Sequence, residues 1–144
     1  MSVRGPWYRG DRRGLPRIPT PAWFARDRCY ASWYARGGAV VEMRPGRGRI
    51  LNLLAIGIDH DGAAISKMIP RRTPAWLRAA LEAIAPTSGE MYEWAEKAYP
   101  LLAEAGYFGV AVRQWHSDYG DAAEDSLLYW GVPQNLRSAE PCER

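Results

Sequence analysis

Apolar and polar positions follow two different periods along this chain, and the switches between them mark out its elements. Val3–Arg9 is short, aromatic and strand-like, and the Gly- and Pro-rich stretch Gly10–Pro21 reads as an irregular loop. From Trp23 to Ala35, the residues Phe24, Ala31 and Tyr34 form an apolar stripe at helical spacing, stopped at Gly37–Gly38. Ala39–Met43 alternates as a strand, Pro45–Gly48 turns, and Arg49–Ile58 reads as a second strand. Thr73 opens a helix whose Trp76, Leu77, Ala80, Leu81 and Ile84 share a face, and Pro86 stops it. Thr87 and Glu90 have the spacing of a capping box for a further helix, which Pro100 divides and Gly106 ends. Tyr107–Trp115 reads as a strand, His116–Glu124 as a polar loop, Ser126–Val132 as the last strand and 139–144 as a frayed tail. Strands and helices mix without regular βαβ alternation, so the expected class is α+β in one domain, 1–138. The tetrapeptide Thr-Pro-Ala-Trp occurs at Thr20–Trp23 and again at Thr73–Trp76. Its flanks differ, so it is read as a helix start used twice rather than as a repeat.

Composition sharpens this picture in one respect. Residues 1–50 hold eleven Arg and no Lys against Asp11, Asp27 and Glu42, a balance of +8, while the remainder balances to −5. A basic first third points to an anionic partner, and Arg suits planar, bidentate recognition of phosphate better than Lys. Seven Trp and eight Tyr against two Phe favour pocket rims and interfaces, because each pairs an apolar body with a polar handle. Cys29 and Cys142 form neither a disulfide framework nor a metal-ligand spacing. With no membrane-length apolar run and no signal-peptide pattern, the expectation is a protein acting in a reducing cytoplasm.

The segments Trp7-Tyr8-Arg9-Gly10; Trp23-Phe24-Ala25 with Ser32 and Tyr34; Ala39–Leu53; and Leu102–Val110, in this order, resemble the ADP-ribosyltransferase superfamily. Leu127–Ser138, with Pro133-Gln134-Asn135-Leu136, is similar to that family's closing strand. The resemblance implies two small, mostly antiparallel sheets flanked by helices, with NAD in the cleft between them. It implies that Tyr8, Arg9 and Gly10 meet the NAD ribose or phosphates and that Phe24 and Tyr34 flank the nicotinamide. Ser32 stands near the Ser of the family's helix. The compact size resembles phage-borne and toxin-like members that modify one host macromolecule, with an immunity or target protein as a further partner.

Cleaving the nicotinamide–ribose bond builds positive charge on the ribose, so such a site needs a carboxylate near that carbon. The candidates between the last two strands are Asp118, Asp121, Glu124 and Asp125. Glu124, the only Glu there, is preferred, with Asp125 as its substitute. The acceptor is a protein side chain or a nucleic-acid base, or water in an NAD glycohydrolase. A non-catalytic inhibitor or nucleic-acid binder using the Arg-rich third is the reading from another class. Asp59-His60-Asp61 lacks a third ligand and is not read as a metal site, and His116-Ser117-Asp118 is not read as a triad.

Overall fold

The computed structural model describes residues 3–13, 18–56, 65, 67–84, 91–116 and 122–142. Seven strands are present: β1 Trp7–Asp11, β2 Ala22–Ala25, β3 Ala39–Pro45, β4 Arg49–Asn52, β5 Tyr107–His116, β6 Ala122–Tyr129 and β7 Pro133–Ala139. Among the described residues, helices α1 Arg28–Ala35, α2 Ala75–Ala83 and α3 Met91–Glu104 accompany them. The α+β class therefore holds. Among the described residues no helix is long and apolar enough to cross a membrane.

The two expected sheets are instead one mixed sheet in the order β4-β5-β6-β2-β1-β3-β7. Only β4 and β5 run parallel; the other neighbours are antiparallel. A trace of the expected division survives at its centre. β1 and β2 share one registered pair, Tyr8 with Ala25, whereas β5 and β6 share eight from Gly109–Tyr129 to His116–Ala122. A four-strand half and a three-strand half thus meet at a single rung.

Several local expectations give way to tertiary packing. Trp23 and Phe24 lie in β2, not in a helix, because they alternate across the sheet opposite Leu128 and Leu127. The helix starts only after Asp27, whose carboxylate accepts from the Cys29 amide at 2.8 Å. β4 ends at Asn52, where its side-chain oxygen accepts from the Leu54 amide (3.1 Å) and turns the chain into a 3₁₀ turn at Leu54–Ile56. Thr73 does not cap α2: Pro74 holds the cap position, and the Thr73 hydroxyl is buried without a partner among the described residues. Trp76 turns outward, leaving Leu77 and Leu81 as the buried face. Pro100 does not divide α3. It lies on the exposed face while Ala98 and Leu102 are buried to either side, and their packing carries the helix through. The capping box at Thr87 and Glu90 lies outside the described residues.

The largest core packs α2 and α3 against one face of β4, β5 and β6 through Leu81, Trp94, Leu102, Val110 and Leu128. A second core, with Trp7, Phe24, Met43, Leu127 and Tyr129, occupies the opposite face. Helix α1 covers the three-strand half on the first face through Ala31, Ala35 and Val40. Gly10 makes that close approach possible, since a Cβ there would lie 2.1 Å from the Ala31 carbonyl.

Cys29 and Cys142 form a disulfide across 113 residues, where sequence spacing had suggested none. Spacing carries no information about a pair brought together by sheet order: β7 runs back along β3, beside the start of α1. The tail is correspondingly anchored rather than frayed up to Cys142. β7 reaches Ala139, and the Cys142 amide donates to the Ser32 hydroxyl at 3.1 Å.

Candidate functional site

Where the sheet narrows to one rung, its helix-bearing face opens into a cleft of about 720 Å³. Strand pairing defines the floor. Residues opposite each other in an antiparallel ladder share a face, so Tyr8, Ala25 and Ser126 face the same way, and so do Gln114 and Glu124. Helix α1 supplies one wall through Tyr30, Trp33 and Tyr34, and the start of α3 supplies the other through Tyr92 and Glu96. Trp23 spans the gap between them, its indole nitrogen donating to the Glu96 carboxylate at 3.2 Å.

Three features give the cleft its chemistry. Arg9 reaches across the splay between β1 and β2, and its Nη1 donates to the Trp23 carbonyl at 3.0 Å. Among the described residues, with Arg12 and Arg36 it makes the lining net positive against the carboxylate of Glu96. The second feature is aromatic. Trp33, Tyr34 and Tyr92 are 36 %, 47 % and 39 % exposed, so flat apolar surface is open to a ligand. Arg12 holds Tyr34 in place, its guanidinium 4.9 Å from the ring centre and its Nε donating to the Tyr34 carbonyl.

The third feature lies in the floor. Gln114 is 8 % exposed and donates to the Ser126 hydroxyl at 3.1 Å, while its Oε1 has no partner among the described residues. Turning the amide over exchanges which atom is left, but one stays unsatisfied. A buried amide atom without a partner costs about 1–3 kcal/mol, and a ligand group of matching polarity removes that cost. Nearby, burial and then the Glu42 carboxylate, which accepts its hydroxyl, raise the Tyr8 phenol above its usual range.

Of the eight expected site residues, Tyr8, Arg9, Gly10, Phe24 and Tyr34 line this cleft. They come from three separate segments. Phe24 does so only at the boundary, since its ring is 2 % exposed and packs in the second core with Trp7 and Met43. Ser32 is outside, bonded to Cys142 at the tail. Glu124 and Asp125 do not lie in a loop, because the β5–β6 ladder continues past both. Their alternation separates them. Glu124 is opposite Gln114 on the cleft-bearing face, two residues before Ser126, but does not line the cleft, whereas Asp125 is opposite Arg113 on the other face. The Arg113 guanidinium stands 3.5 Å from the Asp125 carboxylate, an ion pair too long to count as a hydrogen bond.

Asp118, Asp121 and Asp59-His60-Asp61 lie outside the described residues. Gln114, Ser126, Trp23 and Glu96 were not anticipated. The available signal was a polar residue at an inward position of an otherwise apolar strand, as Gln114 is after Val110 and Val112. The molecule is thus an α+β domain with an arginine- and aromatic-lined cleft at the weak rung of a mixed sheet. No known family model, curated protein or solved structure matches the chain.

Proposed function

We propose that this cleft binds NAD and that the protein is an ADP-ribosyltransferase acting on a protein or nucleic-acid acceptor. The observation that carries the reading is the convergence of Tyr8, Arg9, Gly10 and Tyr34, from separate segments, around one cleft. Its volume falls in the range of about 300–1,000 Å³ usual for small-molecule sites. Arginines beside exposed rings suit a dinucleotide, whose diphosphate is anionic and whose bases are flat. The unsatisfied Gln114 amide offers a hydrogen bond to a carboxamide or a ribose hydroxyl.

In this reading the bond from the ribose C1′ to the nicotinamide nitrogen breaks, and its electron pair neutralises the pyridinium. The acceptor forms the new bond to C1′ and gives up its proton. Glu124, on the cleft-bearing face of β6, offsets the positive charge that develops on the ribose. Asp125 lies on the other face of β6, its carboxylate 3.5 Å from the Arg113 guanidinium. Arg9 binds phosphate or ribose.

Nicotinamide release by Glu124→Gln and Asp125→Asn tests this. Glu124→Gln should retain the NAD-induced rise in melting temperature and lose roughly 10²–10³ in rate, about 3–4 kcal/mol. Asp125→Asn should release nicotinamide at close to the parental rate. The reverse pattern would sink the assignment, and a parent whose melting curve ignores millimolar NAD would sink the function. Release that requires cell lysate marks a transferase; release without it marks a glycohydrolase.

A further inference from the structure

A second recess of about 700 Å³ shares no lining residue with the NAD cleft. It gathers Arg4, Arg49, Arg71 and Arg72 from three distant segments, and among the described residues no carboxylate lines it. Held this close at an exposed surface, the guanidiniums of Arg49, Arg71 and Arg72 raise the local positive potential, so the recess attracts a ligand with more than one negative charge.

The recess is built rather than incidental. The Arg49 guanidinium stacks on the Tyr107 ring at 4.3 Å, and its Nη2 donates to the Ala105 carbonyl at 2.9 Å. Gly48, at φ +131°, lets the preceding turn close down, because a Cβ there would lie 2.1 Å from the Phe108 ring. On the opposite side, Arg78 Nη2 donates to the Ile69 and Pro70 carbonyls and so pins the turn that presents Arg71 and Arg72. Apolar wall comes from Val3, Ile50 and Pro70.

We propose that this recess binds single-stranded nucleic acid. Guanidiniums take the phosphates, in bidentate geometry where two N–H groups reach one phosphate, and the apolar wall takes a base. Two observations favour a strand over a free nucleotide or a duplex. Arg44 and Arg47 are exposed along the chain leading to Arg49, and Arg44 Nη1 bonds the Gly5 carbonyl beside Arg4, so the positive charge continues past the recess as a track. A concave pocket with apolar wall accepts an unstacked base, which a duplex does not offer.

Fluorescence anisotropy of the full chain with a short fluorescein-labelled thymidine oligonucleotide tests the proposal. Saturable binding is expected, with the logarithm of affinity falling linearly with the logarithm of salt concentration. The double variant Arg71→Gln/Arg72→Gln should bind about tenfold or more weakly at low salt, with a slope shallower by about 1.4, or 0.7 for each lost contact. Both arginines are exposed, so its melting temperature should match the parent. If it melts early, Arg47→Gln on the flanking track carries the same test, with a slope change of about 0.7. NAD should shift the melting of these variants as it shifts the parent, which separates failure here from failure of the NAD reading. No binding at low salt, unchanged affinity and slope in the variants, or tighter binding of the matching duplex would overturn the proposal. Displacement of the oligonucleotide by thymidine monophosphate at equal phosphate concentration would overturn it in favour of a free nucleotide.

Discussion

Strands β4, β5 and β6 carry α2 and α3 on one face, and among the described residues fifteen from Leu51 to Leu128 are buried there as one core. Strands β1, β3 and β7 carry only α1, which meets them through Ala31, Ala35 and Val40, and β7 is exposed along most of its length. What the smaller half lacks in buried area it replaces with specific bonds. Cys29 is joined to Cys142, Arg137 grips the Glu42 carboxylate at 2.6 Å, and Tyr8 donates to that same carboxylate. The candidate site lies where these halves meet. Gln114 and Ser126 come from the half held by hydrophobic burial, while Tyr8, Arg9 and Tyr34 come from the half held by point contacts. A cleft between a well-packed body and a lightly packed one can adjust to a ligand by movement of the lighter partner.

The largest effect should come from the packed half. Trp94 is 1 % exposed, and its indole nitrogen bonds the Leu81 carbonyl at 3.4 Å. Trp94→Ala should cost roughly 3–5 kcal/mol in urea unfolding. Amide protection should fall in both halves together, because this core underlies the whole fold. Protection lost in α2 and α3 alone would show that the smaller half stands without it.

Next is Cys29→Ser, expected to cost roughly 2–4 kcal/mol because the unfolded chain regains the freedom of a long loop. Here the loss should be local, with faster hydrogen exchange in α1, β3 and β7 and little change in β5. Equal losses in β5 would erase the distinction between the halves. A disulfide persists in oxidising surroundings, so a reducing compartment would give the same loosening as the variant.

The smallest effect is a pH dependence. The Tyr8 phenol is raised in the folded chain, first by burial and then by Glu42, so the folded state holds a proton that the unfolded state releases near pH 10. Its contribution is complete below about pH 10 and is lost as pH rises through the higher folded value. Tyr8→Phe should therefore flatten the fall in stability between about pH 9 and pH 11, read from urea midpoints. An unchanged slope would mean that Tyr8 is not a titrating link in the smaller half.

Most strands and the long helix were legible because each buries one face, and burial leaves a period in the sequence. β5 is plain in Tyr107–Trp115, and Gly106, at φ +88°, ends α3 at the expected place. The cleft was legible in part. Tyr8, Arg9, Gly10 and Tyr34 were found through a resemblance, and no period would have joined two separate segments. Gln114 and Ser126 escaped notice because a single polar residue on an apolar strand looks alike whether it faces a ligand or water. Glu124 and its substitute Asp125 were expected at a loop and instead lie on opposite faces of a strand.

The repeated tetrapeptide marks the boundary between the two kinds of information. Thr-Pro-Ala-Trp leads into strand β2 at Thr20–Trp23 and into helix α2 at Thr73–Trp76. By itself the sequence determined where apolar surface must be buried, where the backbone must turn, and that the first third is rich in arginine. Local preferences worth a few tenths of a kcal/mol per residue did not choose between strand and helix for identical residues. The partner chose: Trp23 has Leu128 of β6 opposite it, while Leu77, next to Trp76, has the core beneath α3. Sheet order, the disulfide and the meeting of the two halves at one rung belong to the tertiary structure, because each joins residues whose separation along the chain says nothing about their distance in space.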